Sequence, residues 1–468
     1  MLPLYRELDT AVPLHRLFDI FLNDPYPVFL DSSLHHERLG RYSYVTADPL
    51  LVLQSKNGRV EVNGDADPCT PKGDPFECLR RLVHRLETEA VPGLPPFQGG
   101  AVGYFGYDLA HHIELLPRTA VDDVGVPDMV VGIYDWVLAH DHASARTWLV
   151  ASPYPHGDYE RARRRMEGVE SRLARLEREP ASRHEECLAR PPASTFDRKG
   201  YVDAIVRAKE YIAAGDIYQV NLSQRFQVPL PISPWKLYCR LREVSPVPYS
   251  AYLQPGDLAI ASASPELFLR KEGPRVETRP IKGTRPRGKT HEEDHRLAEE
   301  LLASEKDRAE NVMIVDLLRN DLGKVCRVGT VRVSELYSLE SYSTVHHLVS
   351  SVEGVLDGRH DAVSLLRACF PGGSVTGCPK IRAMEIIDEL EPTQRGVYCG
   401  SIGFLGFNGN LDTSIVIRTI VAKDGQAYFQ VGGAIVADSD PEAEYQETLD
   451  KARAMILALG GDRTWLTS

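Results

Sequence analysis

From residue 218 the chain alternates in character, with Tyr218, Val220 and Leu222 interleaved with Gln219, Asn221, Ser223 and Arg225. A period of two marks a strand, because successive side chains leave it on opposite faces. One face is apolar and the other carries hydrogen-bonding groups, so this part of the chain is committed to a sheet. The preceding Tyr201, Ala204, Ile205, Ala208, Tyr211 and Ile212 follow helical spacing, and Gly215 stands where such a helix stops. A second strand-like segment is Arg279-Pro280-Ile281-Lys282-Gly283-Thr284. There Pro280 fixes its own φ and pushes Arg279 toward extended geometry, while Gly283 allows close approach of the backbone to a ligand. Sixteen residues before Lys282, the sequence Ser264-Pro265-Glu266 closes the apolar run from Leu258 to Ala263. Two strands can thus carry an acid and an amine into one cleft, although a lysine is ordinarily a solvated surface charge.

The chain has 468 residues, enough for a large core in two or three domains or one two-lobed unit. Its 54 basic and 66 acidic residues leave a net charge of −12, which argues against nucleic acid or an anionic membrane as the main partner. The eight cysteines are dispersed without a Cys-x-x-Cys pair, as expected of a reduced compartment rather than a disulfide framework or zinc site. The N-terminus has no basic segment followed by an apolar core, and no run of eighteen apolar residues occurs; a cytoplasmic enzyme is expected.

Along the chain, residues 1–150 read as short strands and turns with one or two helices, one of them over Pro75 to Leu86. Residues 151–194 read as an exposed helix, Tyr159 to Glu179, followed by a linker of prolines, serines and charges from Pro180 to Ser194. Residues 195–460 form the third region.

Two helices carry paired acids. The helix Glu305 to Leu322 presents Asp307 and Glu310 on one face, and a helix capped by Asp440-Pro441 presents Glu444, Glu447 and Lys451. They read equally as solvated acidic faces; facing one cleft, they would need a cation, and oxygen-only ligands suit Mg²⁺. Two glycine-rich turns, Phe370 to Lys380 and Val431-Gly432-Gly433-Ala434, can offer backbone amides to an anion or serve only as turns. The first leads into a helix, Ile381 to Leu390, and lacks the P-loop spacing. His346 and His347 point to opposite faces of a strand, so they are not a chelating pair, and His347 reads on its own as a core histidine. Tyr398 and Arg418 are candidates for carboxylate recognition.

Together these stretches resemble the chorismate-utilising enzymes, and among them the branch that forms 4-amino-4-deoxychorismate. The resemblance rests on Phe97-Gln98-Gly99-Gly100, Val131 to Trp136, Ile217 to Leu222, Ser264-Pro265-Glu266, Pro280 to Thr284, Asp307 to Asn311, His346-His347, Gly400 to Gly403 and Glu444 to Thr448. It implies an α+β fold of two lobes, with large antiparallel sheets flanked by helices and the active site between them. It also implies that the N-terminal segment interleaves with the rest.

In chemistry, the resemblance implies that chorismate and ammonia become 4-amino-4-deoxychorismate, for 4-aminobenzoate and folate biosynthesis, through a covalent adduct on Lys282. Glu266 would be the acid and His347 would orient the leaving group. Gln219, Gly283, Thr284, Tyr398, Arg418, Gly432, Gly433 and Ala434 would bind substrate, and Glu310, Glu444 and Glu447 would hold Mg²⁺. In isochorismate synthases the place of Gln219 is usually a lysine that activates water, and in anthranilate synthases the place of Lys282 is usually alanine. Gln219 favours ammonia over water as the incoming group, Lys282 favours the 4-amino product over the rival anthranilate synthase activity, and retention of the whole set argues against a catalytically idle subunit. No Gly-x-Cys-x-Gly elbow is found, so the resemblance implies ammonia delivery by a separate glutamine amidotransferase subunit. Ser32, Leu39, Gly40, Arg41, Tyr42, Pro248, Tyr249 and Ser250 match a tryptophan pocket, with Leu30-Asp31-Ser32 departing from the Leu-Glu-Ser of feedback-regulated anthranilate synthases.

Overall fold

Alternating segments build two antiparallel sheets of 12 and 11 strands in the computed structural model, which describes residues 1–34, 39–64, 73–85, 88–175, 191–342, 345–462 and 465. One buried cluster joins the facing sides of the sheets, with Tyr44, Val137 and Ile260 from the larger meeting Val102, Tyr104 and Phe404 from the smaller. Helices Pro234–Val244 and Pro441–Ala458 cover the outer face of the larger sheet, and Pro75–Val83, Glu305–Gly323 and Ala362–Cys369 that of the smaller. Burial on both faces keeps most strand residues apolar and fixes register, since a one-residue slip would exchange the two faces.

Both sheets draw strands from residues 1–150 and from 195–460. The divisions at 150 and 194 therefore describe order along the chain, and the two layers share their core across them. Of the expected linker, residues 180–190 lie outside the described residues, and Ala193–Ser194 form a short strand.

Among the passages that carry the chain from one sheet to the other, three are short and lie deep in the fold. Asp135 lies between Met129–Tyr134 and Trp136–Asp141, Pro265 and Glu266 between Ala259–Ser264 and Leu267–Glu272, and Val416–Arg418 between Leu411–Ile415 and Thr419–Lys423. The last two passages run side by side. The Ala263 amide donates to the Arg418 carbonyl at 3.1 Å, and the Ile415 amide donates to the Glu266 carbonyl at 3.1 Å.

The helices follow the sequence pattern. Arg198–Ala214 ends before Gly215, and Asp440 caps Pro441–Ala458 by accepting from the Ala443 amide at 2.9 Å. The strand Gln219–Pro229 differs from the expectation in two ways. Tyr218 precedes it and is 71% exposed, whereas the polar Gln219, Asn221, Ser223 and Arg225 are all buried. On that side Ser223 meets Glu391 and Arg225 meets Asp123 rather than water.

The segment 431–434 is not a turn but part of the strand Gln426–Ile435, with Gly432 opposite Ser223 and Gly433 opposite Leu222. Glycine is needed at 432 because a Cβ there would lie 2.5 Å from the Leu222 carbonyl oxygen. Pairing with Thr419–Lys423 ends at Phe429, so beyond that point this strand has lost its second ladder neighbour.

Candidate active site

The sheet crossings bring the acid, the amine and an arginine together. Glu266 and Arg418 sit on the paired crossings, and Lys282 enters from Ile281–Pro286 at the end of the smaller sheet. That strand bulges. Ile281 pairs with Val349 but Thr284 with His347, leaving one extra residue at Lys282-Gly283. A bulge re-aims a side chain, and this one requires Gly283, whose φ is +80° and whose added Cβ would lie 2.9 Å from Leu301 and 3.0 Å from Asp307. Lys282 is 9% exposed and donates its Nζ hydrogen to the Ser374 main-chain carbonyl at 2.9 Å.

Burial governs the charges here. It lowers the Lys282 pKa, against the opposing pull of Glu310, Glu266 and Glu447, with Lys451 adding to the lowering. It raises Glu266 to about 7, opposed by a hydrogen bond with the Ser374 side chain and by the Lys282 charge. Near neutrality, Glu266 thus retains a proton to give and Lys282 is pushed toward the neutral amine. Burial lowers the Arg418 pKa, with the Glu266 charge opposing.

His347 is held at Nδ1 by the Thr284 hydroxyl at 2.9 Å, and burial drives its pKa down to about 3, so it is a neutral imidazole. His346 faces the other way, toward Ser341 at 2.7 Å and Asp294 at 3.0 Å.

The glutamates come from two helices. Glu310 lies on Glu305–Gly323 and Glu444 and Glu447 on Pro441–Ala458. Lys306 bridges them, with Nζ 3.3 Å from Glu444 and 4.0 Å from Glu310, so an ammonium already stands between these carboxylates. Gly433 leaves them room, since a Cβ there would lie 3.2 Å from Glu444 Oε2 and 3.8 Å from Glu447 Oε1. Burial raises the Glu310 pKa, whereas Lys451, 2.7 Å from Glu447, holds that half-exposed carboxyl low. Among the described residues no three His, Cys, Asp or Glu converge tightly enough to hold a metal alone. Glu310, Glu444 and Glu447 offer oxygen ligands of the kind Mg²⁺ takes, and such an ion would need water and substrate oxygens to complete its shell. Asp307 is turned to Arg285 at 3.2 Å.

Tyr398 is buried beside Arg395, and its neighbour Cys399 feels the Glu266 charge. Gln219 is buried, and neither polar atom of its side chain has a partner among the described residues. Such atoms are rare in a protein interior and mark a place where something else belongs.

The residues matched to a tryptophan pocket line a separate cavity of about 230 Å³ between the sheets, except Leu39, which is buried without lining it. Ser32 Oγ donates to the Tyr42 carbonyl at 2.8 Å. Asp31 turns into the core, where it accepts from Arg242 Nε at 2.5 Å and Tyr238 at 2.9 Å. The far wall comes from Arg270, Glu272, Phe404 and Asp412, which the sequence did not mark for this role. The sequence also left Ser374, Asn221 and Lys306 without individual roles. Ser374 lies inside the glycine-rich segment Phe370 to Lys380, but only folding reveals that its carbonyl meets Lys282.

The fold and this site define a class: α+β enzymes with a charged cleft where strands cross between two antiparallel sheets. The chain belongs to the chorismate binding enzyme family, whose model matches residues 30–457. It is 45% identical over 428 residues to the aminodeoxychorismate synthase component 1 of Bacillus subtilis, covering 91% of each chain. It is 46% identical over 432 residues to the anthranilate synthase component 1 of Thermus thermophilus, covering 92% of each. In structure it is similar to the anthranilate synthase component I of Streptococcus pneumoniae, with a TM-score of 0.77 and 33% identity over 90% of this chain and 94% of that one. A menaquinone-specific isochorismate synthase of Escherichia coli shares the fold, with a TM-score of 0.71 at 19% identity over 98% of this chain and 95% of that one. Among the described residues no helix is long and apolar enough to cross a membrane.

Proposed function

We propose that the chain converts chorismate and ammonia into 4-amino-4-deoxychorismate, supplying 4-aminobenzoate and folate synthesis, with Lys282 as a covalent nucleophile. Overall identity does not choose between the aminodeoxychorismate and anthranilate activities of its relatives, which stand at 45% and 46%. The observation that carries the choice is the buried Lys282 amine on the Ser374 carbonyl, in the field of a protonated-range Glu266. A free lysine is only about 0.1% neutral near pH 7.5, so the environment that lowers its pKa supports a nucleophilic role.

In this reading the Nζ lone pair forms a bond to C2 of chorismate. Both ring double bonds shift along the diene, C1=C2 to C1=C6 and C5=C6 to C4=C5, the C4–O bond breaks, and the hydroxyl leaves as water with the proton of Glu266. Ammonia then forms the C4–N bond, both double bonds shift back, and the C2–Nζ bond breaks and returns its pair to Lys282. The Glu266 carboxylate takes the proton lost by the incoming nitrogen. His347, neutral, donates or accepts at the leaving oxygen without adding charge. Arg418, in reach of the Glu266 field, and the open edge of the 430–435 strand serve the substrate carboxylates. Glu310, Glu444 and Glu447 would hold Mg²⁺, which would supply charge neutralisation for a substrate carboxylate otherwise repelled by these acids. The 230 Å³ cavity is read as a tryptophan site, and a separate glutamine amidotransferase subunit as the ammonia source.

The test is product identification after incubating the chain with chorismate, Mg²⁺ and ammonium, with aminodeoxychorismate lyase added to one half. The reading requires 4-aminobenzoate in the half with lyase alone; anthranilate in both halves overturns it.

A further inference from the structure

Four residues apart, just after the helix Lys380–Leu390, Glu391 and Arg395 form an ion pair in which each is 4% exposed. Their contacts are unusual in where they lead. Arg395 Nε donates to Glu391 Oε2 at 2.9 Å and Nη2 to Glu391 Oε1 at 2.7 Å, which leaves the rest of the fork for two main-chain carbonyls. Nη1 donates to Val375 O at 2.9 Å and Nη2 also to Asn221 O at 2.6 Å. Both carbonyls adjoin the group that holds the lysine. Val375 follows Ser374, whose carbonyl accepts from Lys282, and the Asn221 side-chain amide reaches that same carbonyl at 3.5 Å. The Asn221 main-chain amide closes the loop by donating to Thr376 O at 2.8 Å. Glu391 fixes the same strand two residues on, accepting from the Ser223 amide and hydroxyl at 2.8 Å each. The guanidinium also stacks 4.7 Å from the centroid of the Tyr107 ring and lies 5.8 Å from that of Tyr398.

We propose that the Glu391–Arg395 pair is a positioning device for Lys282: it holds the 374–376 loop against the Gln219–Pro229 strand, and so sets where the Ser374 carbonyl holds the amine. The inference rests on the reading of Lys282 as nucleophile. A buried pair retained for stability alone has no need to spend a fork on one particular loop, and apolar replacements of buried pairs are often neutral. Only a planar fork reaches Glu391, Val375 and Asn221 at once; a lysine presents a point charge and cannot. Neither residue touches the reacting atoms, so both act through Ser374.

The test uses the full chain carrying Arg395→Lys or Glu391→Gln, with chorismate, Mg²⁺ and ammonium chloride. Misplacement of a reacting group by about 1 Å can cost about 10²-fold, and the expected result is a kcat loss of that order with the chorismate KM changed less than about threefold. Carbamylation of Lys282 by cyanate, followed by peptide mass spectrometry without substrate, is expected to change in rate by at least about threefold, because it reads the amine directly. Wild-type kcat in either folded variant, or an unchanged carbamylation rate, overturns the proposal. If Arg395→Lys does not fold, Glu391→Gln carries the same test, since it keeps the arginine and the volume. Lys282→Ala is run beside them: normal turnover there defeats the nucleophile reading, while the cyanate rates still report whether the pair positions the amine.

Discussion

The Lys282 amine donates to the Ser374 main-chain carbonyl at 2.9 Å, and the Ser374 side chain opposes the rise that burial imposes on the Glu266 pKa. One residue thus acts on the two groups on which the proposed chemistry depends, although they arrive on different segments of the chain.

Removing the amine tests that chemistry most directly. Lys282→Ala is expected to lower formation of the 4-amino product by about 10³-fold or more, the scale of losing a covalent nucleophile, and to divert residual turnover toward the 2-amino isomer. Chromatographic separation of the two products checks this; 4-amination at an undiminished rate would exclude a covalent lysine.

The pH dependence follows from Glu266. As the proton donor it must be protonated, so kcat/KM is expected to fall as pH rises through about 7. The stability effect has the same sign. A carboxyl whose folded pKa is raised binds its proton more tightly in the native state, so its contribution is fully present below the unfolded value and is lost as pH rises through the folded one. For a rise from 4.5 to about 7 the loss is about 3 kcal/mol. Glu266→Gln should therefore lose activity by about 10²-fold or more yet be at least as resistant to urea at pH 8 as the native chain. A variant less stable than native at that pH would show that burial does not raise this group.

At Gly283 the φ of +80° and the short Cβ approaches to Leu301 and Asp307 predict strain. Gly283→Ala is expected to cost about 1–3 kcal/mol in denaturant titration and to lower kcat by shifting the bulge that aims Lys282. Full activity with native stability would remove the bulge from the explanation.

Activity with ammonium is expected to vanish on chelation and return with Mg²⁺, and Glu310→Gln to raise the Mg²⁺ concentration needed for half-maximal rate. Turnover that persists in excess chelator would leave Lys306 and Lys451 as the cations these carboxylates require.

For the second cavity, L-tryptophan at about 100 times its dissociation constant would add about 2.7 kcal/mol to stability, visible as a rise in melting temperature. An unchanged melting temperature in millimolar tryptophan, measured beside L-tyrosine and L-leucine, would assign the 230 Å³ space to another occupant.

Local pattern alone determined much of this molecule. Helix limits at Gly215 and Asp440-Pro441, the strand after residue 218 and the extended Pro280–Thr284 segment were legible, because caps, prolines and side-chain period act over a few residues. The opposed histidines followed from the same period. What the sequence could not show was which segments lie side by side over long separations. Val431–Ala434 reads as a turn because glycines usually make one, and only the Leu222 carbonyl across the ladder explains a glycine inside a strand. The hydrogen-bonding face of Gln219–Pro229 is legible from its period, but not that Glu391 and Arg395 pack on that strand. Glu266 and Arg418, 152 residues apart, meet because two neighbouring strands change sheets at the same level, and Lys282 joins them because a bulge turns it inward. Residue types were set by local chemistry, but the pKa of each group was set by burial, and burial belongs to the assembled sheets alone.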